Sequence, residues 1–74
     1  MKEFKVLLNT FDKVKKFVNT AEKCVGDVDL ASQSNRYVVD GKSVMGVFSL
    51  DLSKELICRC HEDKDSESLL NFDR

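Results

Sequence analysis

The sequence of 74 residues predicts an α+β fold in which helices cover one face of a small, mostly antiparallel sheet. Three observations predict it. One segment near the N terminus carries apolar residues at helical spacing, and four short segments alternate apolar and polar residues as strands do. The predicted order is strand, helix, strand, strand, short helix, strand, helix, for which helices segregated to one face of an antiparallel sheet are the usual packing.

The most distinctive element is an amphipathic helix predicted for residues 11–24. Thr10 is placed to cap its N terminus, and Asp12 lies in the first turn, where the helix dipole favours an anion. Lysines occupy the other faces, so one side is apolar and the other is solvated. The predicted buried stripe has three- and four-residue spacing and consists of Phe11, Val14, Phe17, Val18, Ala21 and Cys24.

Four segments alternate apolar and polar side chains and predict the strands. The polar residues 32–35, between the second and third segments, are typical of a hairpin turn. Asp65 and Ser66 are placed to cap a last helix through Leu69, Leu70 and Phe72, which needs docking because so short a helix is marginal alone. The four segments are EFKVLL (3–8), DVDLAS (27–32), NRYVVDG (35–41, with Tyr37 and Val39 on one face) and ELICRCHE (55–62).

Length, charge and hydropathy restrict the classes of function. The 74 residues predict one domain, 1–74, near the lower size limit for independent folding. A formal net charge of -1 gives no overall attraction to nucleic acid or to a membrane. No apolar run approaches the roughly 18 residues of a membrane span, and the charged N terminus is unlike a signal peptide. We therefore expect a cytoplasmic protein that binds neither nucleic acid nor membranes.

The cysteines predict neither disulfides nor a metal site. Three is an odd number, so we expect reduced thiols. Cys58 and Cys60 stand beside His61, but a zinc site needs a second, distant pair of ligands, and Cys24 alone does not form one. Strand alternation is the simpler interpretation, with Cys58 and Cys60 inward and His61 outward. The same alternation separates Cys60 from His61, so covalent catalysis is not predicted and no cofactor is implied.

The segment GKSVMGVFSL, residues 41–50, combines an apolar run with glycine and serine. Ser43 is placed to cap a short helix, and a phosphate on it would lie among free backbone N–H groups. Capping alone is the simpler interpretation of this serine. Because a short helix buries only one side, some of Val44, Met45 and Phe48 should stay exposed and offer a docking patch.

The segments KSVMGVFSLDL (42–52) and FVNTAEKCVGDVDL (17–30) resemble the HPr family, the histidine-containing phosphocarriers of the bacterial phosphoenolpyruvate-dependent sugar phosphotransferase system. The resemblance runs from the first predicted strand to the last helix. It implies an open-faced β-sandwich of four antiparallel strands with helices on one side. It also implies protein partners, namely an HPr kinase, a transcription regulator or phosphotransferase components.

The resemblance fails at the family's phosphoryl-carrying site. There a histidine stands at the start of the first long helix, followed one residue later by arginine and then proline. Alignment on the matching segments puts Thr10 at the histidine position and Asp12 and Lys13 in place of arginine and proline. Threonine has no imidazole, and Asp12 is negative where an incoming phosphoryl group needs positive charge. Phosphohistidine transfer is therefore not expected. His61 does not replace the missing histidine, because it lies near the far end of the fourth strand.

Ser43 matches the serine that a kinase phosphorylates in Gram-positive relatives, and Val44, Met45 and Phe48 match the family's docking patch. The sequence therefore predicts a non-enzymatic regulatory or interaction module that docks through residues 43–50, with Ser43 as a phosphorylation site. Two alternatives stay open. One is a phosphocarrier with a non-standard phosphoacceptor, and the other is a homodimer whose seam is the patch, so we expect a monomer or a weak homodimer.

Overall fold

The computed structural model describes residues 2–34 and 36–72 of the chain. It confirms the predicted α+β class, with one four-stranded antiparallel sheet and helices. Within the described residues, no helix has the length and apolar character needed to cross a bilayer. The elements are β1 (Lys2–Val6), α1 (Phe11–Glu22), β2 (Val28–Ala31), β3 (Val38–Asp40), α2 (Val44–Phe48), β4 (Leu56–Cys60) and α3 (Ser66–Leu69).

The strands lie in the order β1-β4-β2-β3, and all neighbouring pairs are antiparallel. In the β1–β4 pair, Val6 lies opposite Leu56, whereas Val28 of β2 lies opposite Cys60. The chain leaves β1 at Val6 to enter α1. Consequently α1 begins near the Leu56 end of β4, and His61 lies at the other end of the sheet.

One face of the sheet and the inner face of α1 form the core. On β4, Leu56, Cys58 and Cys60 are buried while the residues between them are half-buried on the other face, which confirms the predicted alternation. Burying a large apolar side chain stabilises the fold by about 1.5–3 kcal/mol. A core of this size therefore keeps the domain folded only if its side chains are closely packed. The residues that α1 contributes to the core are Val14, Phe17, Val18 and Ala21.

Several elements are shorter than the sequence predicted. The first strand ends at Val6 instead of residue 8, because the N–H of Leu7 turns to donate to the carbonyl of Phe72 at 3.4 Å. The third strand is also shorter than predicted, because β3 begins at Val38 and Tyr37, which is 63% exposed, precedes it. Asn35, part of the predicted turn and third strand, lies outside the described residues. The other three differences are α1 ending at Glu22, β2 spanning Val28–Ala31 and β4 spanning Leu56–Cys60.

The C-terminal segment is broken into short helical pieces. Its only α-helical piece among the described residues is α3, which has 3₁₀ turns on both sides. Leu69 is fully buried, and the Phe72 ring meets the Phe17 ring edge-on with centroids 5.3 Å apart. The segment is therefore docked against α1, as the predicted last helix required. The flanking turns are Asp63–Asp65 and Leu70–Phe72.

Asp65 does not cap α3, so that prediction is wrong. Its carboxylate instead accepts hydrogen bonds from the N–H of Gly26 at 2.9 Å and of Val25 at 3.2 Å, in the loop that follows α1. The Gly26 bond is the main cause of the lowered pKa of Asp65, because it stabilises the ionised carboxylate. Ser66, the other predicted cap, donates its hydroxyl to the Asp63 carbonyl at 2.7 Å.

Candidate functional site

The predicted short helix forms as α2, with Ser43 as its N-cap. The Ser43 Oγ accepts a hydrogen bond from the N–H of Gly46 at 3.1 Å, which confirms the capping role. Val47 is the buried residue of this helix, and Ser43 itself is half-buried. The cap therefore supports a helix that contributes little to the core.

Gly46 allows α2 to lie close to β3. A methyl group at this position would meet the Ser43 Oγ at 3.3 Å and the Cβ of Val39 at 3.4 Å. The first distance is tighter than side-chain carbons ordinarily adopt, and the second is at the lower limit of ordinary van der Waals contact. The glycine that interrupts the apolar run thus serves packing, because it lets α2 approach its own cap and the edge strand together.

The outer side of α2 is exposed, as the sequence predicted. Met45 is 80% exposed, and Val44 and Phe48 are each 40% exposed. On a helix that buries Val47, Met45 points to the opposite side, whereas Val44 and Phe48 flank the buried side, which agrees with their lower exposure. Their position fits a contact surface, while their role in binding stays a prediction.

Phe11 belongs to this surface, and its predicted place in the buried stripe of α1 is wrong. Its ring is 61% exposed and stacks on Phe48, with centroids 5.6 Å apart and planes 18° from parallel. Phe11 is the first residue of α1 and lies beside α2, so it packs on that helix instead of the core. The pair is separated by 37 positions in the chain, and no periodicity in the sequence signals the contact. We call Phe11, Val44, Met45 and Phe48 the docking patch.

Lysines lie beside the docking patch on α1. The Lys15 ammonium is 5.4 Å from the centroid of the Phe11 ring, which is a cation–π distance. Lys13 and Lys16 are also exposed, and the Lys13 Nζ donates to the Asn9 side chain at 3.2 Å. The patch is thus apolar, with the Lys15 ammonium against its α1 side.

Thr10 is the N-cap of α1, as predicted. Its Oγ1 accepts a hydrogen bond from the N–H of Lys13 at 3.2 Å, and its backbone is extended. Asp12 is exposed in the first turn of the helix. At the position where the resemblance implies a phosphohistidine, the structure thus has a capping hydroxyl and a nearby carboxylate.

The two caps lie on different sides of the docking patch. Phe48, at the end of α2, stacks on Phe11 at the start of α1. The Lys42 Nζ, just before α2, donates to the Cys24 carbonyl just beyond α1 at 3.3 Å. The two helices therefore run in opposite directions, and Ser43 lies away from Thr10.

His61 is remote from the docking patch. It lies at the end of the sheet opposite to Thr10, with its Nε2 2.9 Å from Asp29 Oδ2 on the outer face. Cys60, the preceding residue, is fully buried and donates its thiol to the Glu62 carbonyl at 3.0 Å. The expected separation of Cys60 from His61 is confirmed.

The three cysteines are free thiols. Burial raises the pKa of Cys58 to about 12, and burial is also the main cause of the raised pKa values of Cys24 and Cys60. Thiols with raised pKa values are poor nucleophiles near neutral pH. In the parts of the chain that the structure describes, no three His, Cys, Asp or Glu side chains are grouped so that they could hold a metal ion.

Comparison with solved structures finds a similar fold in the crystal structure of HPr-C-His from Thermoanaerobacter tengcongensis. The TM-score is 0.77 at 23% sequence identity, and the match covers 96% of this chain and 89% of that chain. The fold is HPr-like. No protein-family model matches the chain, and no curated protein matches it significantly. The HPr-like fold confirms the architecture that the resemblance implied.

Proposed function

We propose that the chain is a regulatory or interaction module related to the sugar phosphotransferase system, without enzymatic activity, that docks a protein partner through the docking patch. The observation that carries the proposal is the joint exposure of four apolar side chains from two helices. Clustered apolar exposure on a small domain is typical of contact surfaces. Among the partners that the HPr resemblance implies, a protein with an apolar surface and acidic margins complements the patch and its lysines.

Ser43 is the proposed regulatory phosphorylation site within this module. A phosphate there would add nearly two negative charges beside Val44, at the edge of the docking patch. It would also replace a hydroxyl that already bonds the Gly46 N–H. Phosphorylation thus changes the charge of the surface while retaining an acceptor for the cap, which suits a switch of docking.

Incubation with an HPr kinase and ATP, followed by intact-mass spectrometry, tests the modification. We expect one added phosphate on the wild type and none on Ser43→Ala. The matched control is Ser49→Ala, which removes an exposed serine from the other end of α2 and should leave the phosphate in place. An unmodified chain under conditions that phosphorylate an authentic HPr contradicts the switch.

Docking is tested separately, with the same HPr kinase as the partner and surface plasmon resonance as the measurement. Met45→Asp places a charge at the centre of the docking patch, and we expect at least about a tenfold loss of affinity. Val25→Asp is the control because Val25 is similarly exposed, at 72% against 80% for Met45, but lies outside the patch. Equal binding by the two variants argues against the patch.

Self-association is the structural alternative for the same surface. Sedimentation of the wild type and of Met45→Asp distinguishes a homodimer seam from a surface that binds a different protein. A dimer that dissociates in the variant supports a homodimer seam, whereas a monomer in both removes that alternative and favours a different partner.

Phosphotransfer through His61 is a second candidate function, and the His61–Asp29 contact favours it. A carboxylate on Nε2 fixes that nitrogen as the protonated one and leaves Nδ1 as the basic nitrogen of the neutral ring. Incubation with Enzyme I and phosphoenolpyruvate, followed by phosphorus NMR, tests it. A phosphohistidine signal that disappears in His61→Gln establishes this function, and its absence excludes it.

A further inference from the structure

A groove separate from the docking patch lies between the β2–β3 turn and the segment that joins α2 to β4. Its cavity volume is about 660 Å³, within the range of small-molecule sites. Leu50 and Leu56, which are both buried, form an apolar part of the lining, and polar side chains of the two loops form the rest. None of the four docking-patch residues lines it.

The groove has an available guanidinium. Arg36 is exposed in its lining and forms no ion pair with any residue in the described ranges 2–34 and 36–72. Lys54 also lines the groove, and its contact with Asp51 is at the 4.0 Å limit. An unpaired guanidinium binds phosphate through two parallel hydrogen bonds, and a nearby ammonium adds charge.

Tyr37 gives the groove an exposed aromatic ring. Its backbone is fixed by Ser32, whose Oγ accepts from the Tyr37 N–H at 3.3 Å and whose N–H donates to the Tyr37 carbonyl at 3.0 Å. The side chain is nevertheless 63% exposed. A fixed backbone that presents a free aromatic face is suited to stacking on a planar ring.

The lining also contains an ionised acceptor. Asp51 accepts hydrogen bonds from the hydroxyl of Ser53 at 2.6 Å and from its N–H at 3.2 Å. The hydroxyl bond is the main cause of the lowered pKa of Asp51. Glu55 is a second carboxylate in the lining. Two carboxylates in the same groove as two cations disfavour a simple anion, and they accept hydrogen bonds from sugar hydroxyls or base amino groups.

We propose that this groove binds a nucleoside monophosphate, with its phosphate on Arg36 and Lys54 and its base stacked on Tyr37. Asp51 accepts from the hydroxyl or amino groups between them. A ligand with an anion at one end, a planar ring at the other and donors between matches all three kinds of lining group. The site shares no residue with the docking patch, so it stands independently of the proposed function.

NMR titration with adenosine monophosphate tests the site. Tyr37 is the one tyrosine in the sequence, and there is no tryptophan, so the tyrosine ring signals belong to Tyr37 alone. We expect a saturable upfield shift of those signals, with amide shifts confined to the two loops. Arg36→Gln should weaken binding about tenfold or more, whereas Lys16→Gln, an exposed cation on α1, should leave it unchanged.

Separate titrations with adenosine and with inorganic phosphate complete the test. Each should bind at least about tenfold more weakly than the nucleotide, because each engages only part of the groove. The proposal is overturned if no saturable shift occurs by about 10 mM nucleotide, or if either fragment binds as tightly as the whole. Equal weakening by Lys16→Gln also overturns it. Amide dispersion of the variants confirms that they are folded.

Discussion

The starts of α1 and α2 have the same local chemistry and different surroundings. Thr10 and Ser43 each accept a hydrogen bond from the backbone N–H three residues later, at 3.2 Å and 3.1 Å. Behind Thr10, however, a helix of 12 residues buries four side chains, whereas the helix behind Ser43 has 5 residues and buries one. The cap is a minor part of the stability of α1 and a major part of that of α2.

The two starts also differ in charge. Asp12 occupies the first turn of α1, where it already interacts with the positive end of the helix dipole. The first turn of α2 contains no acidic residue. A phosphate on Ser43 would therefore meet less repulsion than one on Thr10, which supports Ser43 over Thr10 as the proposed phosphorylation site.

The largest expected effect separates core from surface within α1. Phe17→Ala removes a fully buried ring and should lower the free energy of unfolding by about 3–5 kcal/mol. Phe11→Ala, its matched control on the same helix, should lower it by about 1 kcal/mol or less because that ring is exposed. Urea unfolding followed by circular dichroism measures both. Equal losses would show that Phe11 belongs to the core after all.

The second effect compares the caps directly. Thr10→Ala and Ser43→Ala should each cost about 1 kcal/mol, the usual value for a lost N-cap. The losses should appear in different places, because α1 unfolds with the core and α2 has one buried residue. Amide hydrogen exchange should accelerate locally at Gly46 and Val47 in Ser43→Ala, and across the core in Thr10→Ala. The same pattern of acceleration in both variants would contradict the comparison.

The smallest effect concerns how the end of α1 is fastened, and it depends on pH. Because the pKa of Asp65 is lowered in the fold, its contribution is complete above the ordinary value of 3.8 and is lost as the pH falls through the folded value. Asp65→Asn should melt below the wild type at pH 7, and the two melting temperatures should converge near about pH 2. Parallel curves would show that the carboxylate bonds to Gly26 and Val25 contribute little.

Local pattern predicted the elements better than their edges. The stripe from Val14 to Ala21 is buried as its spacing indicated, and the alternation of β4 placed Cys58 and Cys60 inward. The predicted ends were wrong where a tertiary contact competes with the pattern, as at Leu7, whose N–H donates to the carbonyl of Phe72. Asp65 failed for the same reason, since its carboxylate bonds a loop 39 and 40 positions away instead of its own helix.

The candidate site also has one part that the sequence could predict and one part that it could not. Ser43, Val44, Met45 and Phe48 are adjacent in the chain, so helical geometry sufficed to predict their cap and their exposure. Phe11 could not be found, because its position in the stripe fits a buried residue as well as an exposed one. Only the approach of α2 decided between them.

The sequence by itself determined the order of elements, most of their buried faces and the two capped helix starts, since these depend on hydrogen bonds and spacing within a few residues. The tertiary structure alone decided that Phe11 joins Phe48, that Asp65 binds the loop after α1, and that two loops enclose a groove around Arg36 and Tyr37. The physical reason is the separation of these residues along the chain. These contacts join residues far apart in the chain, and their energies depend on how the helices and the sheet pack together.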